Sequence, residues 1–210
     1  MTWARRVALF TAAFAWAALA LQFALIVARM TGEGTSFGAA AWRFLGFFTI
    51  LTNGGVALVA TAMVLGPQSM LAGPRARLAT ASAIVIVGIV YSVALRATWQ
   101  PTGWQAVADH ALHDVTPPLF ALSWLLAGHG ALAWRDIGWA LAAPSLYVAY
   151  ALARGAVDGW YAYWFLDPGA LSAAAIAGNL AVLLAVFSLV AALLVAVDRW
   201  LARAGSGAGQ

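Results

Sequence analysis

The chain has 210 residues, of which 64% are hydrophobic and 9% charged, and it contains eleven Trp and ten Phe. Its mean hydropathy of +0.89 leaves too few polar side chains to cover a water-soluble domain, so the composition predicts an integral membrane protein. The net charge of +4 comes from arginines dispersed along the chain and indicates no nucleic-acid-binding patch. Cysteine is absent, which excludes disulfides and thiolate metal sites.

Six apolar runs are long enough, at ~1.5 Å per residue, to cross a hydrocarbon core of ~30 Å. We therefore predict an all-α fold, with a six-helix transmembrane bundle forming one membrane domain over residues 1–203 and a disordered tail at 204–210. The predicted helices cover about 7–29, 42–65, 78–96, 107–127, 137–154 and 170–198. The first run is longer than the apolar part of a signal peptide, so we expect an uncleaved helix.

The fourth predicted helix is the least regular, because Pro117 and Pro118 interrupt it. Neither proline donates a backbone hydrogen bond, so a continuous helix would be kinked after His113 and Asp114. The alternatives are an interfacial helix at 107–115 followed by a new helix, a re-entrant segment, or a bundle of five helices.

The arginines set the expected orientation, because short cytoplasmic loops carry an excess of basic residues. With both termini in the cytoplasm, seven arginines lie inside and four outside. The inner set is Arg5, Arg6, Arg75, Arg77, Arg135, Arg199 and Arg203, and the outer set is Arg29, Arg43, Arg96 and Arg154.

Counting from the outer helix ends at ~1.5 Å per residue places polar side chains of every helix in one layer below the outer surface. The cytoplasmic halves are almost wholly apolar, and polar groups in hydrocarbon have to face a partner or water. The layer therefore predicts an outward-opening cavity, and interhelical hydrogen bonding is the alternative. It comprises Gln22, Thr49, Thr52, Asn53, Tyr91, Ser92, Asp109, His110, His113, Asp114, Tyr147, Tyr150 and Asn179.

The segment DHALHDV (109–115) concentrates the ionisable groups of this layer. Asp109 and His113 are four residues apart on one helix face, as are His110 and Asp114, so each carboxylate can hydrogen-bond an imidazole. One helix cannot direct all four side chains at a single ion, so we predict no metal site and no cofactor.

Nucleophilic catalysis needs a hydroxyl or thiol beside a base. Without cysteine, the candidates in the layer are Thr49, Thr52 and Ser92. Thr49 matches His113 in estimated depth, at ~10 Å below the outer surface. The alternative is a threonine bonded to its own helix and a histidine satisfied by Asp109.

Three stretches carry a family resemblance: WRFLGFFTILTN (42–53), HALHDVTPPLFALSWLL (110–126) and WYAYWFLDP (160–168). They resemble the signature regions of the bacterial Pr6Pr membrane proteins. Those are distantly similar to the androgen-induced and androgen-dependent TFPI-regulating proteins, which include threonine-dependent hydrolases of fatty-acid esters of hydroxy fatty acids.

The resemblance implies catalytic roles for two residues. The hydrolase histidine falls on His113, with His110 matching the first histidine of an NHxxH-like run, and the nucleophile falls on Thr49, with Thr52 as the alternative. Asp109 stands where the hydrolase pattern has Asn.

Two functions remain open from the sequence. In the first, a lipid-ester hydrolase of the cell membrane uses Thr49 and His113. An oxyanion donor would then come from Asn53, Tyr150 or Asn179, and outer arginines such as Arg43 and Arg96 would hold a carboxylate.

In the second, a non-enzymatic membrane protein binds or transports a lipid or small anionic ligand in the same layer. Asp109 and His113 would then tune binding by protonation, and His110 and Asp114 would belong to the same binding site. Both functions imply contact with membrane lipids and none with nucleic acid.

Overall fold

A computed structural model of the chain describes residues 1–207, and within that range it contains helices and no strand. This confirms the predicted all-α fold. The α-helices are α1 (Trp3–Gly32), α2 (Phe37–Phe44), α3 (Phe48–Leu65), α4 (Pro74–Val90), α5 (Gly103–His110), α6 (Thr116–Leu125), α7 (Ile137–Asp158) and α8 (Ala173–Gly207). Two π-helical turns, Tyr91–Leu95 and Ala111–Val115, extend α4 and join α5 to α6.

Within residues 1–207, five helical segments are long and apolar enough to cross a membrane: Trp3–Gly32, Phe48–Leu65, Pro74–Leu95, Trp134–Asp158 and Ala173–Gly205. Large apolar side chains on them face outward, including Leu58 (50% exposed), Leu189 (60%) and Leu193 (58%). An apolar surface of this kind is stable against lipid rather than water. The chain is therefore a membrane protein, and the six-helix count and the orientation stay predictions.

The helix predicted at 42–65 is wrong in one respect, since two helices occupy this region. The N–H groups of Leu45 and Gly46 bond back to the carbonyls of Ala41 and Arg43, at 3.1 Å each, and Phe47 is extended. The chain turns here although its apolar run is unbroken. The break places Thr49 in the first turn of α3.

The segment predicted at 107–127 is helical without interruption from Gly103 to Leu125. At the join, the backbone N–H of Thr116 and its hydroxyl both donate to the carbonyl of Ala111, the hydroxyl at 2.8 Å. The five-residue spacing of this backbone bond is that of a π turn, which absorbs the prolines that follow. The chain thus takes the continuous form and not the separate interfacial helix.

Two further expectations differ from the structure. The disordered tail predicted at 204–210 starts too early, because α8 continues to Gly207, and residues 208–210 lie outside the described residues. Where one domain was expected over residues 1–203, the residues group into two compact units, 1–128 and from His129 onward.

In the first unit, α1 packs against α3 and α6. Small residues allow the close approach: Ala8, Ala12 and Ala15 on α1 and Ala57 and Ala60 on α3 are at most 5% exposed. The buried Thr11 hydroxyl lies 2.9 Å from Ser123 Oγ of α6, while Trp16 Nε1 donates to Thr61 at 3.2 Å. These polar contacts fix the register between helices whose surfaces are otherwise apolar.

In the second unit, α7 packs against α8, and Asp198 of α8 organises the loop that precedes α7. Its carboxylate accepts the backbone N–H groups of Gly130 at 3.0 Å and Leu132 at 3.2 Å. His129 Nδ1 lies 3.0 Å from the other carboxylate oxygen. Buried Asp198, 2% exposed, therefore has three donors and anchors this loop.

Close packing of α4 against the π turn at 111–115 depends on Gly88. A Cβ added at Gly88 would lie 3.3 Å from the ring of Pro117 and 3.4 Å from the His113 carbonyl. We expect Gly88→Val to destabilise the protein by about 1–3 kcal/mol through overpacking, seen as a lower midpoint of thermal unfolding in detergent. The matched control is Gly54→Val, since nothing lies within 4 Å of a Cβ there. Equal midpoints for the two variants would contradict this account.

Candidate functional site

The candidate site is built around one contact between the first turn of α3 and the π turn at 111–115. Thr49 Oγ1 lies 3.4 Å from His113 Nε2. This is at the long end of hydrogen-bond range, as catalytic hydrogen bonds often are without a ligand. The structure therefore brings together the threonine and histidine that depth counting had placed at one level.

His113 is held in a fixed orientation by its other ring nitrogen. Nδ1 lies 2.9 Å from the backbone carbonyl of Asp109 and 3.4 Å from its carboxylate Oδ1. Both partners accept, so neutral His113 carries its proton on Nδ1 and presents the lone pair of Nε2 to Thr49. The ring of Tyr91 stacks on the imidazole with centroids 4.1 Å apart, which restricts its rotation.

The Asp109 carboxylate is 5% exposed and receives donors from the chain on both oxygens. The Tyr91 hydroxyl donates to Oδ2, and Trp99 Nε1 donates to Oδ1 at 3.1 Å. Tyr91 was expected in the polar layer without a specific role, and Trp99 was not among the predicted site residues. No sequence signal marks Trp99, because it lies in the loop after α4 and reaches Asp109 only through the tertiary fold.

Two irregular helical turns position these groups. Tyr91 begins the π turn at the end of α4, and His113 lies in the π turn between α5 and α6. A π turn adds a residue to the helical turn and redirects the side chains that follow, which is why such turns recur at functional sites. The prolines after His113 favour this geometry because they withdraw two backbone donors.

The outer rim of the site is an exposed ion-pair network. Arg96 pairs with Asp114, whose second oxygen lies 2.6 Å from His110 Nδ1. The guanidinium carbon of Arg96 also lies 5.0 Å from the centroid of the Tyr91 ring. Arg96 was predicted to hold a ligand carboxylate, and in this structure the chain's own Asp114 occupies that role.

Asn53 lies one helical turn after Thr49 on α3, is fully buried and has a structural role. Its amide nitrogen donates to the carbonyls of Thr49 at 2.8 Å and Leu112 at 3.3 Å, which joins α3 to the π turn. Both N–H bonds of its amide are used, so Asn53 has none left to donate to an oxyanion, which was its predicted role. Thr52 is also buried, and Thr49 is the threonine that contacts His113.

The other predicted site residues lie elsewhere. Arg43 is half-buried in the last turn of α2. Tyr150 and Asn179 belong to the second unit, where Tyr150 lies beside Tyr147 and Asn179 donates to the Phe165 carbonyl at 3.0 Å.

Gln22 of the predicted layer and Arg154 of the predicted outer arginines also have clear partners. Gln22 of α1 accepts a hydrogen bond from Gln105 of α5 at 2.9 Å. Arg154 is buried, with Nε 3.1 Å from Asp158 and its guanidinium 4.9 Å from the Trp160 ring centroid.

Among the described residues, no group of three or more His, Asp or Glu side chains is placed to hold a metal ion. Comparisons with protein-family models, curated proteins and solved structures find no match to the chain. Fold and site together define an all-α membrane protein with an Asp–His–Thr cluster whose aspartate is buried and whose threonine is half-buried.

The contacts of His113 predict its tautomer. Because Nδ1 faces two acceptors, neutral His113 should be protonated on Nδ1 and unprotonated on Nε2. Nitrogen-15 NMR of histidine-labelled protein in detergent at pH 8 measures this directly, with His113→Gln used to assign the signal. A protonated Nε2 in the neutral ring would contradict the geometry.

Proposed function

We propose that the protein is a multi-pass cell-membrane hydrolase that cleaves lipid esters with Thr49 as nucleophile and His113 as general base. The observation that carries the proposal is the 3.4 Å contact between Thr49 Oγ1 and His113 Nε2, with Nδ1 of the same ring bound to Asp109. A hydroxyl, a base and a group that orients the base are the parts that nucleophilic ester hydrolysis needs.

Thr49 is well placed for this role because it lies in the first turn of its helix. Thr11 and Thr61, in helix interiors, donate to the carbonyl four residues earlier, at 2.9 and 2.6 Å. The hydroxyl of Thr49 lies against His113 instead, and the residue is half-buried, so a substrate can approach it. This contact speaks against the alternative of a threonine bonded to its own helix.

The reaction follows from these positions. Thr49 Oγ attacks the acyl carbonyl carbon while His113 Nε2 takes the hydroxyl proton, and the tetrahedral intermediate collapses as His113 returns that proton to the leaving alkoxide. Water then attacks the acyl-threonine carbonyl carbon and gives a proton to His113, and the bond between that carbon and Thr49 Oγ breaks as His113 returns the proton to Oγ. The products are a free acid and an alcohol, and Thr49 is regenerated.

The N-terminus of α3 supplies an oxyanion donor that sequence reasoning did not find. Thr49 is the second residue of α3, and first-turn N–H groups have no acceptor within their own helix. The N-cap Phe47 has no side-chain oxygen to cap them. The Thr49 N–H and the positive end of the helix dipole thus lie beside the nucleophile, as electrostatic stabilisation of an oxyanion requires.

The expected substrate is an ester with long apolar chains. Apolar outward faces, with Leu51 40% and Val115 37% exposed near the site, favour a substrate delivered from the membrane. The resemblance of residues 42–53 and 110–126 to the Pr6Pr proteins, and through them to hydrolases of fatty-acid esters, points to the same class.

Replacement of the nucleophile tests the proposal. In membranes that contain the full chain, a fluorophosphonate probe should label wild type and Thr49→Ser, which keeps the hydroxyl, but not Thr49→Ala or His113→Ala. Thr52→Ala is the matched control and should be labelled like wild type. Label that persists in Thr49→Ala would reassign the nucleophile, and no label or esterase activity in wild type would favour a ligand-binding membrane protein.

Asp109 should act as a positioning residue. Asp109→Ala removes the carboxylate but leaves the backbone carbonyl that already holds Nδ1 at 2.9 Å. We therefore expect kcat to fall by about 10- to 100-fold, with KM little changed. The loss should be smaller than in an enzyme whose catalytic histidine has a carboxylate as the only partner of Nδ1. The matched control is Asp114→Ala, four residues from His110 on the rim, which should reduce kcat by much less. A rise in KM at constant kcat would place Asp109 in substrate binding instead.

A further inference from the structure

The aromatic ring of Tyr91 stacks on the imidazole of His113 with little water around the contact. The two ring centroids are 4.1 Å apart and the planes are inclined by 16°. Tyr91 is 3% exposed and the His113 side chain 14%. If the imidazole gains a proton, its positive charge therefore lies over the negative face of the tyrosine ring, within the range of a cation–π interaction.

The reaction proposed above puts a positive charge on His113. When the hydroxyl proton of Thr49 moves to Nε2, the imidazole carries protons on both nitrogens and becomes an imidazolium, until the proton passes to the leaving alkoxide. The same charge forms again when water attacks the acyl-threonine. Because the side chain is mostly buried, this charge has to be stabilised by the protein rather than by water.

The protein meets this charge from two directions. The Asp109 carboxylate lies at the edge of the imidazole, with Oδ1 3.4 Å from Nδ1, whereas Tyr91 covers its face. The Tyr91 hydroxyl donates to the same carboxylate, which fixes the two groups relative to each other. Both attractions strengthen as the proton arrives, and an interaction that is stronger in the transition state than in the ground state lowers the barrier.

A second cation contacts the same aromatic ring. The guanidinium carbon of Arg96 lies 5.0 Å from the centroid of the Tyr91 ring. Arg96 pairs with Asp114, whose second oxygen contacts His110. Because this carboxylate offsets the charge of Arg96, the repulsion between Arg96 and a protonated His113 is reduced.

We propose that Tyr91 is a positioning residue whose aromatic face stabilises the imidazolium form of His113, the form through which acyl transfer passes. The catalytic part of this inference rests on the proposed role of His113 as general base. The hydroxyl of Tyr91 has a separate task, which is to donate to Asp109. The attraction between the stacked ring and a protonated imidazole does not depend on hydrolysis and can be measured without it.

The test changes the charge distribution of the ring at nearly constant shape. Tyr91→Phe is the reference, and three further variants of the full chain carry 4-fluoro-, 3,5-difluoro- or 3,4,5-trifluorophenylalanine in place of Tyr91. Each fluorine withdraws electron density from the aromatic face and weakens its attraction for a cation. We expect kcat for hydrolysis of 4-nitrophenyl octanoate to fall stepwise, by about tenfold over three fluorines, with KM little changed.

The matched control places the same three fluorinated residues at Phe120, a fully buried ring of α6 in the same unit. These variants should keep the kcat of wild type. A fall of the same size in this control would attribute the effect to fluorine in the core and overturn the proposal. Equal kcat values across the Tyr91 series would also overturn it, because a ring that only packs against His113 is insensitive to its charge distribution.

An NMR measurement on the same variants separates this inference from the proposed hydrolysis. In detergent, nitrogen-15 histidine labelling reports the fraction of His113 that carries both ring protons, and at one fixed pH this fraction should fall with each fluorine. That fall in a protein without esterase activity would support the role of the ring and contradict the proposed function. Esterase activity in wild type with a constant fraction across the series would overturn this inference alone.

Discussion

A carboxylate buried among apolar helices has to be surrounded by donors, because an unpaired charge in such surroundings costs several kcal/mol. Asp109, 4% exposed, meets this requirement with Tyr91 from the end of α4 and Trp99 from the loop that follows. Its backbone carbonyl holds His113 at the same time. Three chain segments are thereby tied to one residue, and the geometry of the candidate site follows from that constraint.

The ionisable groups around the candidate site are paired within the chain. Asp114 contacts both Arg96 and His110, and Asp109 contacts His113. The lone pair of His113 Nε2 is therefore the group directed at Thr49. Because the fold fixes these partners, the imidazole is held in position before any ligand arrives.

Helical geometry explains which parts of the site the sequence could predict. Depth counting placed Thr49 level with His113 because the rise per residue is constant at about 1.5 Å in any α-helix. The pairing of His110 with Asp114 followed from the same regularity. The turn at residues 45–47 was missed, since Leu45 and Phe47 extend an apolar run that reads as one helix. That missed turn is what puts Thr49 at a helix N-terminus.

The sequence by itself determined the membrane class, the all-α fold, and the helical pairing of Asp109 with His113 and of His110 with Asp114. These follow from composition and helical periodicity, which are properties of residues near one another in the chain. Only the tertiary structure decided that Trp99 and Tyr91 satisfy Asp109, that Asn53 spends its N–H groups on two carbonyls, and that Asp114 neutralises Arg96. Except for the Asn53 bond to Thr49 within α3, each of these contacts joins different helices or loops. The packing that sets their distances depends on the whole fold rather than on any local pattern.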